Sequence, residues 1–199
     1  MTASDHEDID TLEPLIDAVR SGVERAGWEL SGLQKTTSHQ FEGRWEGEST
    51  RSAYLFFHSP LGPDHVSVDV YLDETSRGLS GNIALVADLV TFGDLGEADA
   101  VLESLRAVSI RELDARRGRP LTLRFRLSDA AFDTAEAETE VRFKVKIPKA
   151  AISAGQSAVS SLAGEVMSAF TRILDSDEVV ALAPGDGDNA RIDHEVGEE

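Results

Sequence analysis

Five basic residues stand at every second position of two short segments: Arg124 and Arg126 within 121–127, and Arg142, Lys144 and Lys146 within 141–147. Apolar residues fill the alternate positions, Leu121, Leu123, Phe125 and Leu127 in the first and Val141, Phe143, Val145 and Ile147 in the second. Successive side chains of a strand point to opposite faces, so a hairpin of these two segments turns all five cations to one side, where they can hold an anion. Like charges directly opposed across strands cost a few tenths to about 1 kcal/mol per pair, which calls for a negative group nearby. Three sources are available. Asp69 and Asp73, on the polar parity of 66–74, and Glu42, Glu46 and Glu48 can interleave the signs from neighbouring strands. The acidic end of the chain can fold back over the cations as a self-inhibitor. An external anion, an acidic protein segment or nucleic acid, is the third.

Tyr54, Phe56 and Tyr71 fall on the outward parity of their own segments, so an aromatic strip is expected beside the cations. Trp28 and Trp45 complete the set of large amphipathic rings considered. The eight residues Tyr54, Phe56, Tyr71, Arg124, Arg126, Arg142, Lys144 and Lys146 are the candidate binding surface. Other chemistry is weakly supplied. His58, Asp64 and His65 flank a proline turn at a spacing that can bring two imidazoles and a carboxylate to a metal, but no HExxH-type motif joins them, and solvated turn residues explain them equally. Asp186, Asp188 and Asn189 begin like a calcium loop that the following residues do not complete. No GxSxG elbow, Ser-x-x-Lys pair or glycine-rich phosphate loop is present, and the small residues at 153–157 read as a helix start. The expectation is no catalytic residue, no metal and no cofactor.

Composition narrows the classes further. The 199 residues hold 37 Asp+Glu against 19 Lys+Arg, for a net charge of −18, and no cysteine, which removes disulfides and thiolate chemistry. The charge sits at the ends: residues 1–17 carry −6, residues 175–199 carry −8, and the stretch between them only −4. Four Lys against fifteen Arg suits a salt-adapted or a high-GC source. Nucleic acid is disfavoured, because phosphate binding must overcome the long-range repulsion of an acidic chain and the polar parity of the basic hairpin offers no aromatic ring for stacking. The first residues have no apolar leader and no run is long enough to span a bilayer, which implies a cytoplasmic protein with no membrane partner.

The elements that must position these residues follow from periodicity. Leu12, Leu15, Ile16, Val19 and Val23 recur at three- and four-residue steps and predict a helix over 11–26 closed by Gly27. Alternation predicts strands around 41–46, 53–58 and 66–72, with a proline turn at 59–64. Residues 83–92 are apolar on both parities and fit a buried strand or a short helix, the strand being preferred. Asp94 and Glu97 form a capping-box start for a helix over 95–117, and Ser153 and Gln156 a second one for a helix over 153–174. Residues 1–10 read as an acidic extension, 11–180 as a single domain and 181–199 as a disordered acidic tail. The fold class is α+β: an antiparallel sheet with helices packed on one face, in the order α-β-β-β-(β)-α-β-β-α.

That order, with the strand Val141-Arg142-Phe143-Lys144-Val145-Lys146-Ile147-Pro148 leading through a short linker into a capped terminal helix, resembles the type III secretion chaperone-like fold shared with the YbjN family of small bacterial proteins. The likeness spans about residues 11–174, and the segment at 83–92 and the long basic hairpin depart from it. The resemblance implies a protein without catalytic residues that dimerises and binds an extended partner chain. The leading expectation is therefore a homodimeric, chaperone-like or adaptor protein that grips a protein segment along its sheet or a strand edge. The alternative is a small-molecule or anion-binding regulatory domain with a pocket between sheet and helices.

Overall fold

Six antiparallel strands form one sheet, and the apolar parity of β2, β3, β4 and β6 is turned toward a layer of helices. The computed structural model describes residues 8–38, 50–60, 66–88, 98–114, 122–127 and 139–180. In chain order the elements are α1 (Leu12–Arg25), β1 (Glu29–Ser38), β2 (Thr50–His58), β3 (Val66–Thr75), β4 (Gly78–Asp88), α2 (Ala98–Ser109), β5 (Thr122–Leu127), β6 (Thr139–Lys146), α3 (Lys149–Ser153), α4 (Gln156–Leu174) and α5 (Asp177–Val180). A π-helical turn, Ile110–Asp114, continues α2. The sheet order is β1-β2-β3-β4-β6-β5. This is an α+β fold.

The predicted helix at 11–26 is α1, whose buried residues include Leu12, Leu15, Ile16, Val19 and Val23. Thr11 makes no side-chain cap; instead the Leu12 N–H donates to the Glu74 carboxylate on β3 at 2.7 Å. Arg51 on β2 donates to the same carboxylate at 3.1 Å and also to Glu13, so one cation ties the start of α1 to the sheet. At the other end Gly27, with φ 86°, reverses the chain into β1.

Strand β1 has no counterpart in the alternation pattern. Its two large apolar residues, Leu30 and Leu33, are three apart because a bulge between Leu30 and Gly32 shifts the register against β2. It is also a border strand, and Leu33 stays 44% exposed, so burial never imposed a period of two on it. The strand expected around 41–46, with Trp45, Glu42, Glu46 and Glu48, lies outside the described residues.

The apolar stretch 83–92 is a strand, as preferred, as far as Asp88, its last four residues lying outside the described ones, and the strand begins earlier, at Gly78. Residues 78–82 lack strand propensity, yet Gly81 is required there: a Cβ would lie 2.5 Å from Leu72 Cδ2 and 3.0 Å from the Tyr71 carbonyl oxygen. The cap at Asp94 and Glu97 lies outside the described residues. Along α2, Leu105 and Val108 are buried, and the π turn adds a residue that rotates Leu113 back into the core.

The capping box at Ser153 and Gln156 is not formed. Pro148, with φ −67°, leads into α3 at Lys149, four residues before Ser153, and Ser153 ends α3 instead of capping a helix. The chain then turns at Gly155, φ 91°, which precedes α4 without any side-chain cap. Helix α4 buries Val159, Leu162, Val166, Phe170 and Ile173 as expected, with Ala163 and Met167 added, and packs along α1. Together they cover Ala53, Leu55 and Phe57 of β2, Val68, Val70 and Leu72 of β3, Ile83 and Leu85 of β4 and Phe143 of β6.

Candidate functional site

Because the core takes one parity of β2, β3, β4 and β6, the other parity forms an open face whose layout follows from the register. One row across the sheet runs Gln34, Tyr54, Tyr71, Asn82, Lys146 on β1, β2, β3, β4 and β6. The next runs Gly32, Phe56, Asp69, Ala84, Lys144, and then Thr122 on β5. A third runs His58, Ser67, Val86, Arg142, Arg124. Aromatic rings therefore stand on β2 and β3, cations on β6, and short side chains on β4 between them.

That difference in side-chain length makes a hollow of about 380 Å³, lined by Tyr54, Phe56, Asp69, Val70, Tyr71, Asn82, Ala84, Arg142 and Lys144. Its size is at the lower end of the roughly 300–1,000 Å³ of ligand pockets. Ala84, 4% exposed, lies in the floor; Tyr54 and Phe56, 37% and 39% exposed, stand in the wall. The Tyr54 and Tyr71 ring centroids are 4.8 Å apart with planes tilted by 48°, a geometry in which ring edge meets ring face. The Tyr71 hydroxyl donates to the Asp73 carboxylate at 2.6 Å, and the Ser52 hydroxyl donates to the same oxygen at 2.5 Å. Burial, followed by the adjacent Asp73 carboxylate, pushes the Tyr71 phenol up to about 12.

Five of the eight expected surface residues, Tyr54, Phe56, Tyr71, Arg142 and Lys144, line this one hollow. Lys146 stands next to it, paired in register with Asn82. On β5, Arg124 lies directly opposite Arg142, the like-charge pairing expected of the hairpin, and Arg126 lies opposite Glu140. Of the internal anions, Asp69 meets Arg142 at 3.4 Å, whereas Asp73 is engaged by the Ser52 and Tyr71 hydroxyls. No ion pair is formed by Lys144 or Lys146 among the described residues.

The polar parity of the basic hairpin carries no aromatic residue, and the sheet order brings three rings of β2 and β3 to the same face, so stacking groups stand beside the cations. This hollow lies on the open face, across the sheet from the helices. Asn82 and Ala84 were missed as site residues; their signal is the short outward parity Ser80, Asn82, Ala84 of β4, hidden while that stretch was read only from residue 83.

Of the remaining candidates, His58 lies 3.8 Å from Glu29, while Asp64, His65 and the 186–189 run fall outside the described residues. Among the described residues no group of three or more His, Asp or Glu is placed to hold a metal ion. Trp28 is buried in the core. No helix among the described residues is long and apolar enough to cross a membrane. Compared with protein families, curated proteins and solved structures, the chain shows no match.

Proposed function

We propose that this is a non-catalytic binding protein that receives a segment of a protein partner on the open face of its sheet, acting in the cytoplasm as a homodimeric chaperone-like or adaptor protein. The observation that carries the reading is the convergence of Tyr54, Phe56 and Tyr71 with Arg142 and Lys144 on one hollow, on the face the helices leave uncovered. Apolar rings and cations side by side suit an amphipathic chain, whose apolar groups seek cover and whose carboxylates seek pairing. The resemblance to the type III secretion chaperone-like fold supports the same reading.

The test compares retention of host proteins by the parent, by Phe56→Ser/Lys144→Glu on the open face, and by Asp17→Lys on the exposed side of α1, with light scattering on each. Partners retained by the parent and by Asp17→Lys but lost by the open-face variant support the reading, as does a mass twice 21.5 kDa. Retention indifferent to the open-face change refutes it. The volume of the hollow favours a second reading, a regulatory site for a small anionic molecule; a metabolite that raises the melting temperature of the parent and not of Lys144→Glu selects it.

A further inference from the structure

The open face has a repeat along its strands as well as a hollow across them. On β6 the cations Arg142, Lys144 and Lys146 occupy successive outward positions, a repeat of about 6.8 Å in an antiparallel strand. Alongside Lys146 and Lys144, β4 presents only Asn82 and Ala84, in rows that carry Tyr71 and Tyr54, and Asp69 and Phe56, on β3 and β2; alongside Arg142 it presents Val86. The low strand between two raised walls is a furrow parallel to the strands. Its walls are separated by the two to three strand spacings from β6 to β3 and β2, about 10–14 Å, which is the width of an extended peptide with side chains to both sides.

An extended chain lying in that furrow, its pleat parallel to the sheet, throws alternate side chains toward opposite walls and repeats every two residues at the spacing of the cations. We propose that the furrow takes an extended segment of a partner protein in which acidic residues alternate with apolar ones, carboxylates toward Arg142, Lys144 and Lys146 and apolar side chains toward Tyr54, Phe56 and Tyr71. Charge complementarity selects this occupant. Lys144 and Lys146 form no ion pair among the described residues, and Asp69, 3.4 Å from Arg142, already marks where a carboxylate sits against this wall. Single-stranded nucleic acid, which also combines stacking with a regular negative repeat, would meet the Asp69 and Asp73 carboxylates and the repulsion of a chain at −18. The proposal rests on the open face being the binding face and adds the pattern it reads.

The experiment uses the full chain and two labelled synthetic decapeptides of one composition, glutamate alternating with valine and phenylalanine in the first and gathered in one block in the second. Fluorescence anisotropy at low salt is expected to show the alternating peptide at least tenfold tighter. Lys144→Glu/Lys146→Glu is expected to lose it and to bind instead a peptide alternating lysine with the same apolar residues, a gain that also shows the variant folded. Equal binding of the block isomer, indifference to the charge reversal, or tighter binding of oligothymidylate overturns the proposal. So does binding that emerges only in Asp193→Asn/Glu195→Gln, which would give the furrow to the chain's own Ile192-Asp193-His194-Glu195-Val196 run, where the same alternation occurs. If neither peptide binds while host-protein retention still depends on the open face, the pattern fails and the broader reading stands; if retention is indifferent too, both fail.

Discussion

Two glycines at the crossing of α1 and α4 should respond to the same substitution with opposite signs. A Cβ at Gly22 would lie 2.3 Å from the Ser160 carbonyl oxygen and 2.6 Å from the Ala163 Cβ. Neither atom can swing aside, since one belongs to the backbone and the other is fixed to it. The helices must part by about 1 Å to regain van der Waals distance. That loosens Val19 and Val23 against the face of α4 carrying Val159, Ala163 and Val166, all buried in the core. Overpacking of this kind costs about 1–3 kcal/mol, and alanine returns up to about 1 kcal/mol in helix propensity. Gly22→Ala is therefore expected to lose about 1–2 kcal/mol, or roughly 3–6 °C in Tm at this chain length. At Gly164 the added Cβ would lie 3.6 Å from the Gly22 carbonyl oxygen, an ordinary contact. Gly164→Ala keeps the propensity gain and should raise Tm by about 2 °C. Thermal melts and urea midpoints measured at unchanged m-value decide the matter. A Gly22→Ala protein as stable as the parent, or a Gly164→Ala protein falling equally far, would refute the claim that α1 and α4 touch at Gly22.

Glu74→Ala removes the acceptor of the Leu12 N–H and one partner of Arg51, and should cost about 1 kcal/mol by urea unfolding, as loss of a helix cap does, with Glu74→Gln recovering part of it. Tyr71 stays protonated to about 12 in the fold against 10.0 for a free phenol, so its contribution to stability is whole below pH 10 and is lost as pH rises toward 12; a phenolate absorbance titration should lose its late step in Tyr71→Phe. Arg172, then Arg111, holds the Glu112 carboxyl below its ordinary 4.5, so the stability it supplies is present above that pH and drains as pH falls below it; Glu112→Gln should flatten the acid limb of the stability curve, and an unchanged limb would count against the pairing.

Most of the sheet was legible because burial had imposed a period of two on it. In β2, β3 and β6 one parity meets the helices and the other does not, so Ala53, Leu55 and Phe57, or Val68, Val70 and Leu72, announce their face directly. The same parity rule correctly turned Tyr54, Phe56, Tyr71, Arg142 and Lys144 outward. It failed where something other than burial sets the residue. At β1 a bulge and a border position erased the period; at 78–82 the close approach of Leu72 to Gly81 demanded a residue with no strand preference. The cap of α4 was misplaced because Ser153 and Gln156 have the right spacing in sequence, while Pro148 fixes the backbone a turn earlier and Gly155 supplies a left-handed φ no spacing rule records. For the hollow, the walls could be read from types and parity, but that β4 rather than β5 lies beside β6 on its inner side is a matter of strand order. Only that order places Ala84 and Asn82 between rings and cations.

Charge on the open face should select an occupant more than hold it, and salt separates the two roles. A carboxylate arriving at Arg142 exchanges with Asp69, so the fold gives up one contact as the complex gains another. The Arg142 side chain is 45% exposed, and Lys144 and Lys146 are exposed as well, so each pair is worth at most about 1 kcal/mol and is screened over roughly 10 Å at 0.1 M salt. Covering an apolar side chain yields up to about 1.5–3 kcal/mol when burial is complete, and that contribution survives salt. Several kcal/mol of lost translational and rotational freedom oppose both, so a short peptide should bind with micromolar or weaker affinity. Raising salt should then erase the preference for alternating over block peptides while leaving the penalty of Phe56→Ser in place. If salt removes the Phe56→Ser penalty and preserves the preference, the rings are bystanders and the division of labour across β4 is wrong.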